Sequence, residues 1–254
     1  MTRLELLPSA DQLAGQIQAI VFDCYGTLID IVDQHWLDLF AEICIANDLR
    51  CSGKELWDRW LAEGRRLGEE RGRDPENPLS RPEPPFLPFR ELWALNFEHA
   101  FRSLGATGDA AGGYARMHEK LSSAKAYPEV PEVLAMLRKH YELAVLSNAD
   151  EDHLRICLAR NGLEFETIIS SERAQSYKPF PGIFRRASNL LDLEPAQMLY
   201  VGESPLPDVL GARAAGLPVA WLNRVRIPRP ERMPEPDLEI EDLRGLLPLI
   251  GNRR

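Results

Sequence analysis

The sequence predicts an α/β protein built on a mostly parallel sheet, with a helical unit inserted after the first strand. Three observations predict it. Short apolar runs alternate with longer amphipathic segments, as strands do when crossover helices join them. The runs lack polar alternation, which is expected where helices cover both faces of a sheet. The interval between the first two runs is far too long for a single crossover.

Five runs read as buried strands: Ala19–Asp23, Leu143–Ser147, Thr167–Ser170, Met198–Gly202 and Pro218–Leu222. Glu132–His140 and Asp152–Asn161 read as crossover helices. Val133, Leu134 and Leu137 share one face of the first, and Leu154, Ile156, Cys157 and Leu158 one face of the second. Asn161-Gly162 supplies a C-terminal stop. Phe180–Leu191 and Val209–Ala215 follow the later strands as helices.

The long interval holds four more helical segments, Asp33–Asn47, Lys54–Gly72, Phe89–Leu104 and Gly113–Ala124, with Trp36, Leu39, Phe40 and Ile43 as the core face of the first. Such faces need a core of their own. Residues 32–124 are therefore expected to form a small helical domain, and residues 1–31 with 125–254 the sheet domain. Six of the 20 prolines fall at 75–88, which excludes helix and central strand and predicts an extended surface loop. The Pro- and Arg-rich stretch from Arg224 to Pro236 is expected to wrap the surface before a short closing helix.

Composition excludes several functions. With 30 basic and 39 acidic residues in 254, the net charge of −9 disfavours a broad nucleic-acid surface. No apolar window approaches the ~18 residues of a membrane span. Glu5 and Asp11 interrupt the first 20 residues, which do not read as a secretion signal. Four cysteines without a CxxC pair read as reduced thiols, so a cytoplasmic protein acting on a small molecule is expected; oligomeric state stays open. The five histidines show no paired metal spacing and none is assigned as a ligand; His153 reads as a surface helix residue.

Chemistry concentrates at strand ends, where open parallel sheets bind ligands. Val21 to Leu28 places Asp23 at the end of an apolar strand, followed by Tyr25, Gly26 and Thr27; Gly26 would let backbone N–H groups approach an anion. Ser147 and Asn148 end the second strand. Lys178-Pro179 precedes a helix, where a cation opposes the macrodipole and is best explained by nearby carboxylates or a substrate anion. Glu203 and Asp208 follow another apolar strand as paired acids, an arrangement suited to a hard cation.

In this order and spacing the four segments resemble the haloacid dehalogenase superfamily of hydrolases (HAD-like, with a Rossmann-like parallel sheet core). The likeness runs from about Ala19 to Leu222, and the helical insertion resembles that family's cap domain. The resemblance implies Asp23 as nucleophile of a covalent aspartyl intermediate, Thr27, Ser147 and Asn148 orienting the transferred group, and Lys178 holding the charges together. It further implies substrate contacts from Tyr25, Gly26 and Asn148, and a Mg2+ ion held by Asp23, Glu203, Asp208 and the Tyr25 carbonyl.

Two departures pull in opposite directions. The family's phosphatases carry a second acid where this chain has Tyr25, and a phenol with an ordinary pKa of about 10 is a poor base near neutrality. Tyr25-Gly26-Thr27 and Ser147-Asn148 resemble instead the metal-independent 2-haloacid dehalogenase branch. That branch, however, has a hydroxyl-bearing aromatic where Phe184 stands, and Ser and Asn where Glu203 and Pro205 stand. It also uses a cap arginine, for which Arg59 is the candidate here. Three carboxylates sharing one site would repel without a cation. The expectation is therefore a Mg2+-dependent phosphatase acting on a small phosphate ester. A 2-haloacid dehalogenase is the alternative, and a catalytically silent binding protein with the same fold the third reading.

Overall fold

A computed structural model describes residues 10–31 and 33–251. The absence of a leader pattern in residues 1–9 and the junction at Val32 lie outside the described residues. Among these, six strands form one parallel sheet in the order β3-β2-β1-β4-β5-β6: β1 Ala19–Phe22, β2 Glu142–Ser147, β3 Thr167–Ser170, β4 Met198–Gly202, β5 Val219–Leu222 and β6 Leu238–Ile240. Five match the expected runs. The sixth, a three-residue edge strand, was not expected. It is too short to carry a period, and it exists because the segment after Pro236 aligns beside β5.

Order reverses at β1, with β2 on one side and β4 on the other. The C-terminal ends of these three strands border the crevice where doubly wound sheets bind ligands. Both sheet faces are buried, which explains the unbroken apolar runs. Ile20, Phe22, Val145 and Val201 face α1 (Ala10–Gln16), α6 (Val130–Leu137) and α7 (Glu151–Arg160). Val21, Leu146 and Tyr200 face α9 (Pro181–Leu191) and α10 (Gly211–Ala214). Two short helices, α8 (Ser171–Ala174) and α11 (Pro248–Gly251), complete the sheet's surroundings.

The insertion forms α2 (Asp33–Ala46), α3 (Gly53–Glu70), α4 (Phe89–Ser103) and α5 (Ala110–Ser123). These helices share a separate aromatic-rich core around Phe40, Trp60, Phe97 and Phe101. Trp36 joins it from the edge, stacked on Trp57 with centroids 5.6 Å apart. Ser52 caps α3 by accepting from the Glu55 amide at 3.1 Å.

The buried Asp150, just past β2, reaches across to the insertion. Its carboxylate accepts the backbone amides of Phe89 and Arg90 at 2.7 and 2.8 Å, occupying orphan donors at the start of α4. The proline-rich segment is irregular, as expected, but it is more than a surface loop. Glu83 accepts from the Tyr177 amide at 2.9 Å and the Ser176 hydroxyl at 3.0 Å. Phe86 stacks on Tyr177, so the segment braces the chain next to Lys178. No described helix is long and apolar enough to cross a membrane.

Candidate active site

Asp23 leaves the end of β1 4% exposed and is met by Ser147 at the end of β2 and by residues that follow β3 and β4. Lys178 Nζ donates to Asp23 Oδ1 at 2.5 Å and to Asp208 Oδ1 at 2.6 Å. Ser147 Oγ donates to the same Asp23 oxygen at 3.2 Å. Lys178 is 6% exposed and Asp208 1%, so these charges face each other with little water between them. Opposed charges at such range in a poorly solvated site interact strongly, and a missing partner would be costly.

Protonation follows from that enclosure. Burial alone would lower the Lys178 ammonium, but Asp208, Asp23 and Glu203 outweigh it and hold the proton more tightly than usual. Asp23 is raised above the usual carboxylate range, first by burial and against the pull of Lys178, with Asp208 adding to the rise. Glu203 is raised further, by burial and then by Asp208 and Asp23.

Glu203 sits against the turn that follows Asp23. Its Oε2 accepts from Thr27 Oγ1 at 2.8 Å and its Oε1 from Ser204 Oγ at 2.6 Å. Gly26 adopts φ +86°, and a Cβ there would lie 3.0 Å from the Glu203 side chain, so this position requires glycine. Its amide donates to Ile29 O at 2.7 Å and is therefore engaged within the turn, contrary to the expected anion contact. Arg224 steadies the same turn through the Thr27 carbonyl at 2.9 Å and packs over Tyr127 at 3.6 Å.

Asn148 holds the lysine's backbone in a reciprocal pair. Its Oδ1 accepts the Lys178 amide at 2.8 Å and its Nδ2 donates to the Lys178 carbonyl at 3.1 Å. Asp208 lies in a π-helical turn, Pro205–Leu210, and its Oδ2 accepts the Ser204 amide at 2.8 Å. The regular helix starts only at Gly211, later than the expected Val209.

The structure thus brings Asp23, Thr27, Ser147, Asn148, Lys178, Glu203 and Asp208 together. Two expected participants fall outside. The Tyr25 hydroxyl turns to the His153 carbonyl at 3.4 Å, and burial makes its proton harder to remove than in free tyrosine. Arg59 is exposed on α3 and does not line the cleft above Lys178. That cleft, about 430 Å3, is bordered by Trp60, Arg65, Arg73, Asn148, Lys178 and Phe180, among others.

Tyr200 was missed. Its hydroxyl accepts from Lys178 Nζ at 3.0 Å and lies 2.9 Å from Asp208 Oδ1, while Phe184 packs edge-on against its ring. A phenol inside the run Met198–Gly202 needs a buried partner, and that signal was available in the sequence.

Asp23, Glu203 and Asp208 offer oxygen atoms within 4.8 Å of one another, the donor chemistry that Mg2+ takes. Five of their six carboxylate oxygens, however, already accept hydrogen bonds from protein donors. The repulsion that suggested a cation is relieved by the Lys178 ammonium, which contacts both Asp23 and Asp208. This closed network fits a resident Mg2+ poorly, and no catalytic step is derived through one.

The family model for haloacid dehalogenase-like hydrolases matches residues 17–216, spanning Asp23, Ser147, Lys178, Glu203 and Asp208. The chain belongs to that family. Over 242 residues this hydrolase is 27% identical to haloacetate dehalogenase H-2 of Moraxella sp., covering 93% of this chain and 99% of the relative. It is 34% identical to a phosphoserine phosphatase of Thermus thermophilus over 173 residues, which cover 63% of this chain and 68% of that protein. The crystal structure of L-2-haloacid dehalogenase from Xanthobacter autotrophicus superposes with a TM-score of 0.73 at 22% identity, covering 94% of this chain and all of that one.

These likenesses correct the main functional expectation. A Mg2+-dependent phosphatase is overturned as the leading reading, because likeness across nearly the whole chain, insertion included, runs to dehalogenases. Glu203 and Asp208 do stand beside Asp23, as expected, among hydrogen-bond donors that the order of residues did not reveal.

Proposed function

We propose that this hydrolase cleaves the carbon–halogen bond of a small 2-halo carboxylic acid through an ester on Asp23. One observation carries the reading. A carboxylate gripped by Lys178 and Ser147 ends β1, and the side chain two residues on is a tyrosine turned away from the cleft. A phosphate monoester expels an alkoxide, which needs a proton from a well-placed acid; halide leaves as a stable anion and needs none. The side chains at this site suit the second departure.

In the first step an Asp23 oxygen attacks C2, the carbon–halogen bond breaks, and halide leaves with the electron pair. In the second, water adds to the ester carbonyl carbon, with its proton passing to Asp208. Collapse breaks the acyl–oxygen bond and releases the 2-hydroxy acid, which takes a proton. Asp23 returns as carboxylate with one oxygen from water, and one proton goes to solvent. Lys178 and Ser147 stand ready to neutralise the oxyanion between these events.

For the substrate carboxylate we assign Arg73 in place of Arg59. It lines the cleft, its guanidinium lies 5.0 Å above the Tyr177 ring, and its Nε is buried without a hydrogen-bond partner. The test is halide release from chloroacetate and 2-chloropropionate, with and without excess EDTA. Chloride is expected at equal rates in both. Silence toward these acids by folded protein, together with Mg2+-dependent phosphate release from p-nitrophenyl phosphate, would overturn the assignment.

A further inference from the structure

A second cluster lies beside Tyr25, where α5 of the insertion packs on the start of α7. His118 comes from α5; Asp152 and His153 come from the first turn of α7. His118 Nε2 lies 3.1 Å from Asp152 Oδ2, and His153 Nδ1 lies 3.8 Å from Asp152 Oδ1. The imidazole rings meet edge to face, with centroids 5.6 Å apart at 90°. One ligand atom from each residue lies within 4.8 Å of the others.

The His153 side chain is 1% exposed, and its Nδ1 is buried without a hydrogen-bond partner. A buried imidazole nitrogen left in this state calls for an explanation. We propose that His118, Asp152 and His153 form a binding site for a divalent transition cation of the Zn2+ or Co2+ class, joining α5 to α7.

Several features fit that ligand. Two imidazoles and one carboxylate favour a borderline cation over Mg2+. Metal–ligand bonds of about 2.0–2.2 Å place tetrahedral ligand atoms roughly 3.3–3.6 Å apart, so a modest turn of one side chain closes the set. The Asp152 side chain is 61% exposed, which gives the ion an entry path. Its Oδ1 accepts the His153 amide at 2.7 Å, which orients the carboxylate in advance. Burial pushes His153 down to about 4, with His118 adding to the fall against the pull of Asp152. Tyr25 flanks His153 at 5.9 Å and Tyr114 flanks His118 at 6.0 Å. Three protein ligands leave a fourth position for water.

The test uses the untagged full chain, stripped with a chelator. Co2+ titration followed by visible absorption, and Zn2+ titration in competition with a chromophoric chelator, are run on wild type, His118→Gln, Asp152→Asn and Glu203→Gln. One equivalent is expected to bind to wild type and to Glu203→Gln, with affinity falling about 10- to 100-fold or more in the other two. At 100 times its Kd, Zn2+ is expected to raise the wild-type melting midpoint by about 5 °C or more. No binding, or binding that survives His118→Gln and Asp152→Asn, overturns the site and leaves His118–Asp152 an ordinary ion pair. Loss only in Glu203→Gln places the ion among the strand-end carboxylates and equally overturns it. None of these readouts depends on dehalogenation.

Discussion

The strand-end cluster and the cluster at the α5–α7 seam each bring three titratable side chains together, but their charges are met in different ways. At the first, a buried ammonium bridges two buried carboxylates, and hydroxyl and amide donors occupy nearly every remaining oxygen. At the second, an exposed carboxylate meets one partly exposed and one buried imidazole, and a nitrogen stays unpaired. A network already closed by hydroxyl, amide and ammonium donors has little use for a cation, whereas an open set of imidazole nitrogen and carboxylate oxygen invites one. Carboxylate count therefore says less about metal binding than the fate of each lone pair does.

The comparison breaks first at the nucleophile. Asp23→Asn is expected to reduce halide release by on the order of 10^4-fold or more while leaving the melting transition cooperative. Turnover near the wild-type rate would remove the aspartyl ester from the mechanism.

Lys178→Met takes away the bridge and leaves two buried carboxylates facing each other. Urea denaturation near neutral pH is expected to show a loss of about 3–5 kcal/mol, because an uncompensated buried charge remains. Unchanged stability would mean that the ammonium does not hold the cluster closed.

A smaller and pH-dependent effect belongs to Glu203. Its folded carboxyl lies well above the ordinary value of 4.5, so between 4.5 and the folded value the native state keeps a proton that the unfolded chain has lost. Stability should then fall as pH rises through that window, since the unfolded state binds fewer protons there. Glu203→Gln, which cannot ionise, is expected to flatten this slope and to change stability by less than about 1 kcal/mol at pH 5. Parallel slopes for variant and wild type, from unfolding series across pH 5–9, would show that Glu203 is ionised in the native protein.

Much of the sheet was legible because its signals are local. Apolar runs marked five strands, and Asp23, Ser147, Lys178, Glu203 and Asp208 each follow or close a run that register then aligned. The participants that were missed depend on contacts remote in sequence. Tyr200 points from β4 onto a lysine 22 positions earlier, and Arg73 enters the cleft where Arg59, 14 residues before it, faces water. His118 and His153 stand 35 positions apart with no ligand spacing, and His153, expected at the surface, is buried where α5 covers α7.

The chain's residues by themselves determined an α/β sheet with a helical insertion and an aspartate at the first strand's end, because periodicity and strand-end chemistry act between near neighbours. Tertiary structure alone decided which donors meet which oxygens, and with that how three acids are gathered around one buried lysine. Proton affinity and charge pairing depend on distances across strands and on excluded water, and neither is written in the order of the residues.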